Sequence, residues 1–266
     1  MNVVAIIQAR VGSKRLPGKM TTDISGKTLL EQTLLRVQAI PSVENIVLAT
    51  SSEVEDQPLI EIARKLGIHA YAGSNEDVLD RYYGAAHSVN ADVTIRLTGD
   101  CPLLDPFVCE ETLECFFDNT ADYVSNIRPP TYPDGLDVEI FTISALDSAW
   151  KESSLKSDRE HVTQYIWRNP QQYKIVNYES NIDLSHLRWT VDEPNDLLFV
   201  KNVYDALSKK NINGHKHQDI INIIEDNTLE DFSGSFVRNE GQRESMTMDG
   251  LDYEKAMNQF HRVQKA

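Results

Sequence analysis

The chain has 266 residues, 41% of them hydrophobic, and a formal charge of -15 at pH 7. That length can bury a full core as one large domain, or as one domain with a small lobe, and the acidic balance disfavours a nucleic-acid or anionic-membrane partner, which needs a broad basic face. Cys101, Cys109 and Cys115 cannot all pair and show no Cys-x-x-Cys or Cys/His spacing, and no basic segment precedes a long apolar stretch; both features predict a soluble, cytoplasmic protein with reduced thiols and no membrane helix.

Apolar runs of strand length alternate with segments of helical period. Val3 to Ile7 reads as a buried strand, followed by a helix around Leu29 to Ala39, a strand from Ile46 to Ala49 and a helix around Leu59 to Leu66. A short strand near His69 to Tyr71, a helix from Val78 to Ser88 and a strand from Val93 to Leu97 come next. β-rich runs separated by helices predict an α/β sandwich, a mixed but mainly parallel sheet covered on both faces. Beyond Asp100 we expect a helix after Pro106, a strand at Asp122 to Ser125, a turn from Tyr132 to Gly135 and a strand from Leu136 to Phe141. Helices from Ser144 to Trp150 and about Arg159 to Arg168 follow, then strands near Tyr173 to Tyr178 and Leu187 to Val191. Pro194 suits the first turn of a helix running to about Leu207, and Lys209 to Gly214 reads as its stop and a linker. Residues 227 to 250 are polar, and the last helix, near Tyr253 to Val263, is expected as a loosely held tail, with plain disorder as the alternative.

The first 22 residues carry no acidic side chain. Directly after the first strand, the run Ala9 to Lys19 gathers Arg10, Lys14, Arg15 and Lys19 with Gly12 and Gly18. Glycines let backbone amides approach oxygen closely while cations neutralise it, so this loop is a candidate polyphosphate cradle, with an ordinary basic loop as the alternative. In parallel sheets ligands collect beyond the carboxyl ends of the strands, where this loop, Thr50 to Ser52 and Thr98 to Asp100 all fall. Asp100 stands beside Gly99 and Pro102, so it reads as a turn former or as a carboxylate for a hard cation. Asp192 precedes Pro194 at a strand-to-helix junction, where an N-cap role is the ordinary explanation, and Asp196 inside that helix reads as capping or structural. Asp137 and Glu139, two apart on a strand, are expected to share a face, pointing to a cation, a polar acceptor or solvent. Arg159 and His161 are expected to open a helix, where positive side chains and free amides can hold an acidic acceptor.

The run is neither a Walker A loop nor a dinucleotide fingerprint. Through Ala9, Arg10, Ser13, Arg15, Leu16, Pro17, Gly18 and Lys19 it resembles the signature of the cytidylyltransferases that activate acidic sugars. Gly99-Asp100-Cys101-Pro102-Leu103 and Val191-Asp192-Glu193-Pro194 are similar to the family's two metal-binding stretches. Gly135 to Glu139, Arg159 to Thr163 and Arg188 to Pro194 look most like its spore-coat polysaccharide branch, also seen in capsule and phosphonate pathways. Thr98 and Cys101 stand where the enzymes for 3-deoxy-manno-octulosonate have Gln and Glu, which puts that acceptor in doubt.

The resemblance implies a nucleotide-diphospho-sugar transferase fold, GT-A-like and Rossmann-like, with a catalytic domain over residues 1–210 and a helical extension over 211–266. Within the domain, residues 120–190 are expected to bind the acceptor and contact a second subunit, since relatives are often homodimers. It implies transfer of CMP from CTP to a small anionic acceptor with Mg2+ on Asp100 and Asp192. Ala9, Arg10, Ser13, Arg15, Lys19, Arg81, Thr98 and Asp100 would bind the nucleotide, with Arg10, Lys19 and Asp100 catalytic. Asp137, Glu139, Arg159 and His161 would line the acceptor side. A glycosyltransferase using a nucleotide sugar is the alternative enzyme, weakened because such enzymes place an Asp-x-Asp after a central strand where this chain has Gly99-Asp100-Cys101. A noncatalytic nucleotide-binding regulator is the alternative from another class.

Overall fold

A computed structural model describes residues 1–13, 15–227, 229 and 236–264; Lys14 of the basic run and part of the polar segment after 227 lie outside them. In chain order the elements are β1 (Val3–Gln8), β2 (Asp23–Ile24), β3 (Lys27–Thr28), α1 (Leu29–Val37), β4 (Asn45–Ser51), α2 (Gln57–Lys65), β5 (His69–Gly73), α3 (Val78–Ser88) and β6 (Val93–Thr98). Then come α4 (Pro106–Asp118), β7 (Tyr123–Ser125), β8 (Glu139–Thr142), α5 (Ile143–Glu152), α6 (Lys156–His161), α7 (Gln164–Arg168), β9 (Ile175–Asn177), α8 (Pro194–Lys210), α9 (His217–Asn227), α10 (Glu240–Met248) and α11 (Tyr253–Gln264). Apart from the β2-β3 hairpin, the strands form one sheet in the order β5-β4-β1-β6-β8-β7-β9. The first four of these run parallel, β8 is antiparallel to both its neighbours, and β7 runs parallel to β9.

β1 is an interior strand buried on both faces, which is why its sequence shows no polar alternation. Ala5 and Ile7 pack in a core with α1, α4 and α8, while Val4 and Ile6 pack in a second core with α3, α5 and α7. Helix starts follow local chemistry. Thr28 and Glu31 form a reciprocal capping box on α1, and Asp105 caps α4 ahead of Pro106. Among the described residues no helix is long and apolar enough to cross a membrane.

Four expectations are corrected. Leu136 to Val138 is not strand, because the Asn126 side chain takes the Val138 amide at 2.8 Å and donates to the Leu136 carbonyl at 2.7 Å, in place of a ladder. Leu187 to Val191 is not strand either: the Trp189 and Thr190 amides both donate to the Asp134 carbonyl, at 2.6 and 3.0 Å, pinning the segment to the Tyr132 to Gly135 turn. The single helix expected over Arg159 to Arg168 is two, broken at Val162, whose φ is 58°, by a three-residue turn in which Thr163 N donates to His161 O at 2.6 Å. Finally, α10 and α11 are docked rather than loose. Met246 and Phe260 are fully buried, and the Phe260 ring meets Trp167 edge-on at 6.5 Å.

Candidate active site

The loop after β1 is held from beneath by a residue that the sequence reading did not single out. Asp56, 3% exposed, accepts the Val11 amide at 2.6 Å with one oxygen and the Ser51 hydroxyl at 2.5 Å with the other, tying the loop to the end of β4. Gly18 has φ 73°, a left-handed conformation that a side chain resists, and it turns the chain so that Lys19 enters the molecule.

Lys19 is 4% exposed, and its ammonium donates to Asp100 Oδ2 at 2.9 Å, Asp192 Oδ1 at 2.9 Å and the Val191 carbonyl at 2.7 Å. Burial alone would depress the lysine pKa, but Asp100 and Asp192 outweigh it and the net shift is upward. Burial likewise opposes ionisation of Asp100, yet Lys19 holds that carboxyl below its ordinary value. The carboxylates, 92 positions apart in sequence, meet because the Val191 amide donates to the Asp100 carbonyl at 2.9 Å, stitching the end of β6 to the entry of α8. Asp192 is not the helix cap. Glu193 and Asp196 form the capping box, with Asp196 also taking the Asp192 amide at 2.8 Å, so the Asp192 side chain is left to Lys19, Arg15 (2.9 Å) and Arg188 (3.4 Å). Among the described residues no three His, Cys, Asp or Glu side chains gather into a protein-only metal cage.

This cluster lies at the waist of a crevice with two connected lobes. One, about 540 Å³, is lined by all eight residues expected to bind nucleotide, from Ala9, Arg10 and Ser13 through Arg15 and Lys19 to Arg81, Thr98 and Asp100. The other, about 590 Å³, is lined by Asp137, Glu139 and His161 but also by Arg128, Thr163 and Gln242. Arg15, Arg96, Thr98, Asp100, His161 and Asp192 border both.

Of the four residues expected on the acceptor side, Asp137, Glu139 and His161 border the second lobe and Arg159 does not. Arg159 instead pairs with Asp77, the cap of α3, at 2.7 Å and donates to the Trp150 carbonyl at 2.8 Å. Arg159 and His161 close α6 rather than open a helix, so no free amides accompany them. His161 shares a hydrogen bond with Ser245 at 2.8 Å, and burial, with Arg96 nearby, lowers its pKa to about 4, so the imidazole is neutral. Glu139 is gripped by Arg96, by Arg128 at 3.3 Å, by Tyr123 at 2.5 Å and by Thr163 at 2.6 Å. Burial would raise its pKa, but the two guanidinium groups bring it down to about 2. Asp137 meets Arg238 at 2.5 Å, and Asp134 beside it is raised to about 7, first by burial and then by the Asp137 charge.

The outer wall of this lobe comes from the far end of the described chain. Arg238 also donates to the Tyr132 carbonyl at 2.9 Å, and Gln242 reaches Arg128 at 3.4 Å and Gln164 at 3.2 Å.

A mainly parallel sheet that delivers a glycine- and cation-rich loop and two carboxylates to one crevice defines a nucleotidyltransferase. Comparison with known proteins supplies the family: the cytidylyltransferase pattern matches residues 4–248. The chain belongs to that family and is a CTP-dependent cytidylyltransferase. It superposes on the structure of a cytidylyltransferase from Leptospira borgpetersenii serovar Hardjo-bovis with a TM-score of 0.81 at 32% identity, covering 89% of this chain and 99% of that one. The spore coat polysaccharide biosynthesis protein SpsF of Bacillus subtilis is 31% identical over 216 residues, 79% of this chain and 89% of that protein. An uncharacterized protein of Methanocaldococcus jannaschii is 36% identical over 225 residues, 84% of this chain and 87% of that protein. The family match runs past residue 210 to the end of α10, the helix whose Glu240, Gly241 and Gln242 line the second lobe.

Proposed function

We propose that the protein transfers CMP from CTP to an oxygen of a small anionic acceptor, an acidic sugar or a phosphate- or phosphonate-bearing compound, in surface polysaccharide or capsule synthesis. The acceptor oxygen attacks the α-phosphorus, the bond to the bridging oxygen of the β-phosphate breaks, pyrophosphate leaves, and the acceptor loses its proton. The observation that carries this reading is the buried Lys19 ammonium joining Asp100 to Asp192 at the waist, where a nucleotide in one lobe and an acceptor in the other would meet. Support for the pathway comes from the likeness to SpsF.

The donor set fits magnesium. One ammonium reaches both carboxylates at 2.9 Å, and magnesium takes one or two carboxylates and completes its shell with water and phosphate oxygens. Asp100 and Asp192 would hold it, and when bound it would neutralise charge on the phosphates. Arg10, Arg15 and Lys19 would bind the triphosphate, and the buried Thr190 backbone and Arg188 would keep Asp192 aimed at the waist. We also expect a homodimer through Gln164 to Tyr178, which includes the outermost strand β9; sedimentation at equilibrium checks it.

The decisive experiment measures pyrophosphate release from CTP, UTP and ATP against a panel of acidic sugars, sugar phosphates and phosphonates. Release with CTP and one acceptor class is expected. Equal release with all three nucleotides, or with none of the anionic acceptors, would remove the reading.

A further inference from the structure

We propose that Lys19 acts as a stand-in cation for the metal: it neutralises Asp100 and Asp192 until a nucleoside triphosphate draws it to the phosphates, so that divalent cation and nucleotide are taken up together. The inference rests on reading Asp100 and Asp192 as the metal ligands. An ammonium has three donors, and those of Lys19 go to Asp100, Asp192 and the Val191 carbonyl at 2.7 to 2.9 Å. Serving a phosphate therefore means surrendering carboxylate contacts. The same residue cannot fully occupy both roles at once.

Charge points the same way. Arg15 and Arg188 already reach Asp192, at 2.9 and 3.4 Å, so a divalent ion approaching the intact cluster meets three cationic side chains around two carboxylates. At separations of a few ångströms such repulsion is several-fold stronger in a crevice than in bulk water. A triphosphate reverses the balance, since it offers new partners to Lys19 and Arg15 and leaves the two carboxylates in need of a cation. The exchange needs little rearrangement. Lys19 has a flexible four-carbon stem, and it sits one residue beyond the left-handed turn at Gly18.

Mn2+ binding, followed by electron paramagnetic resonance without nucleotide, tests the proposal on the full chain. Wild type is expected to bind Mn2+ weakly, and Lys19→Met at least about tenfold more tightly, because one cation beside the site is gone. The gain should vanish in Lys19→Met combined with Asp100→Asn. A second measurement uses wild type alone in case the methionine variant fails to fold. Mn2+ by itself should leave its melting temperature unchanged, whereas Mn2+ with a non-hydrolysable CTP analogue should raise it beyond the analogue alone, and Asp100→Asn should remove that increment. An Asp100-dependent rise with Mn2+ alone, or a Lys19→Met protein that binds Mn2+ no better than wild type, overturns the stand-in role. No Asp100-dependent Mn2+ effect even with the analogue overturns the metal assignment itself and the inference with it.

Discussion

At the residue scale, two side chains carry separable roles. Lys19→Ala should fold, since α1 and β1 pack without it, but should lower turnover at saturating CTP by roughly 100- to 1000-fold, the usual effect of deleting one preorganised charge contact at a reacting group. Steady-state pyrophosphate release checks this, and wild-type turnover would return the loop to an ordinary basic turn. His161 acts on stability. Its folded pKa of about 4 lies below the ordinary 6.5, so between those values the unfolded chain binds a proton that the folded chain refuses. Stability therefore falls as pH drops from 6.5 to 4 and levels off below that as far as His161 is concerned, by at most about 3 kcal/mol. Glu139 adds a second, more acidic window: its stabilisation is complete above 4.5 and is lost as pH falls towards 2. Urea titrations at pH 7 and pH 4.5 should show His161→Gln losing less stability on acidification than wild type; an equal loss would refute the burial argument.

At the element scale, the site depends on segments that are neither helix nor strand. The Tyr132 to Gly135 turn is fastened to Trp189 and Thr190, and Gly135, with φ 114°, lies so close that an added methyl carbon would sit 2.7 Å from the Thr190 nitrogen. Gly135→Ala should cost about 2 to 3 kcal/mol through left-handed strain and backbone collision together, and should weaken CTP-dependent activity by shifting Asp192. Denaturant midpoints check the first part; a change under about 0.5 kcal/mol would mean that the contact relaxes freely. These segments also mark where sequence reading ended. β1, β4, α3 and β6 were legible because period and burial agree in them, and the loop and Asp100 were legible because they occupy the ends of such strands, whereas Asp192 follows an irregular segment and stood out through the family resemblance alone. The division of α6 from α7 was not, since the residues from Arg159 to Arg168 carry helix-compatible side chains while the Thr163 hydroxyl is held by Glu139, 24 positions away. Arg159 was misplaced for the same reason: its partner Asp77 is 82 positions back.

At the scale of the whole molecule, the C-terminal helices complete the second core. Phe260→Ala should cost about 3 to 5 kcal/mol by chemical denaturation, as for a buried ring, whereas a loosely held tail would give almost nothing. Composition could not foresee this, because the segment that leads into those helices is polar. Their anchors are single apolar residues, Met246, Tyr253 and Phe260, spaced along otherwise hydrophilic helices.

The contacts that Arg238 and Gln242 make around the second lobe have a further consequence in time. These residues reach back 101 and 114 positions to Asp137 and Arg128, so on the ribosome they emerge long after the sheet that they close against. A nascent chain can already hold the loop, Asp100 and Asp192 in place while one side of the neighbouring chamber is still missing, since domains gain structure as their N-terminal parts emerge. Synthesis thus orders assembly: the basic loop and the two carboxylates can be in place before Arg238 and Gln242 emerge to complete the neighbouring lobe.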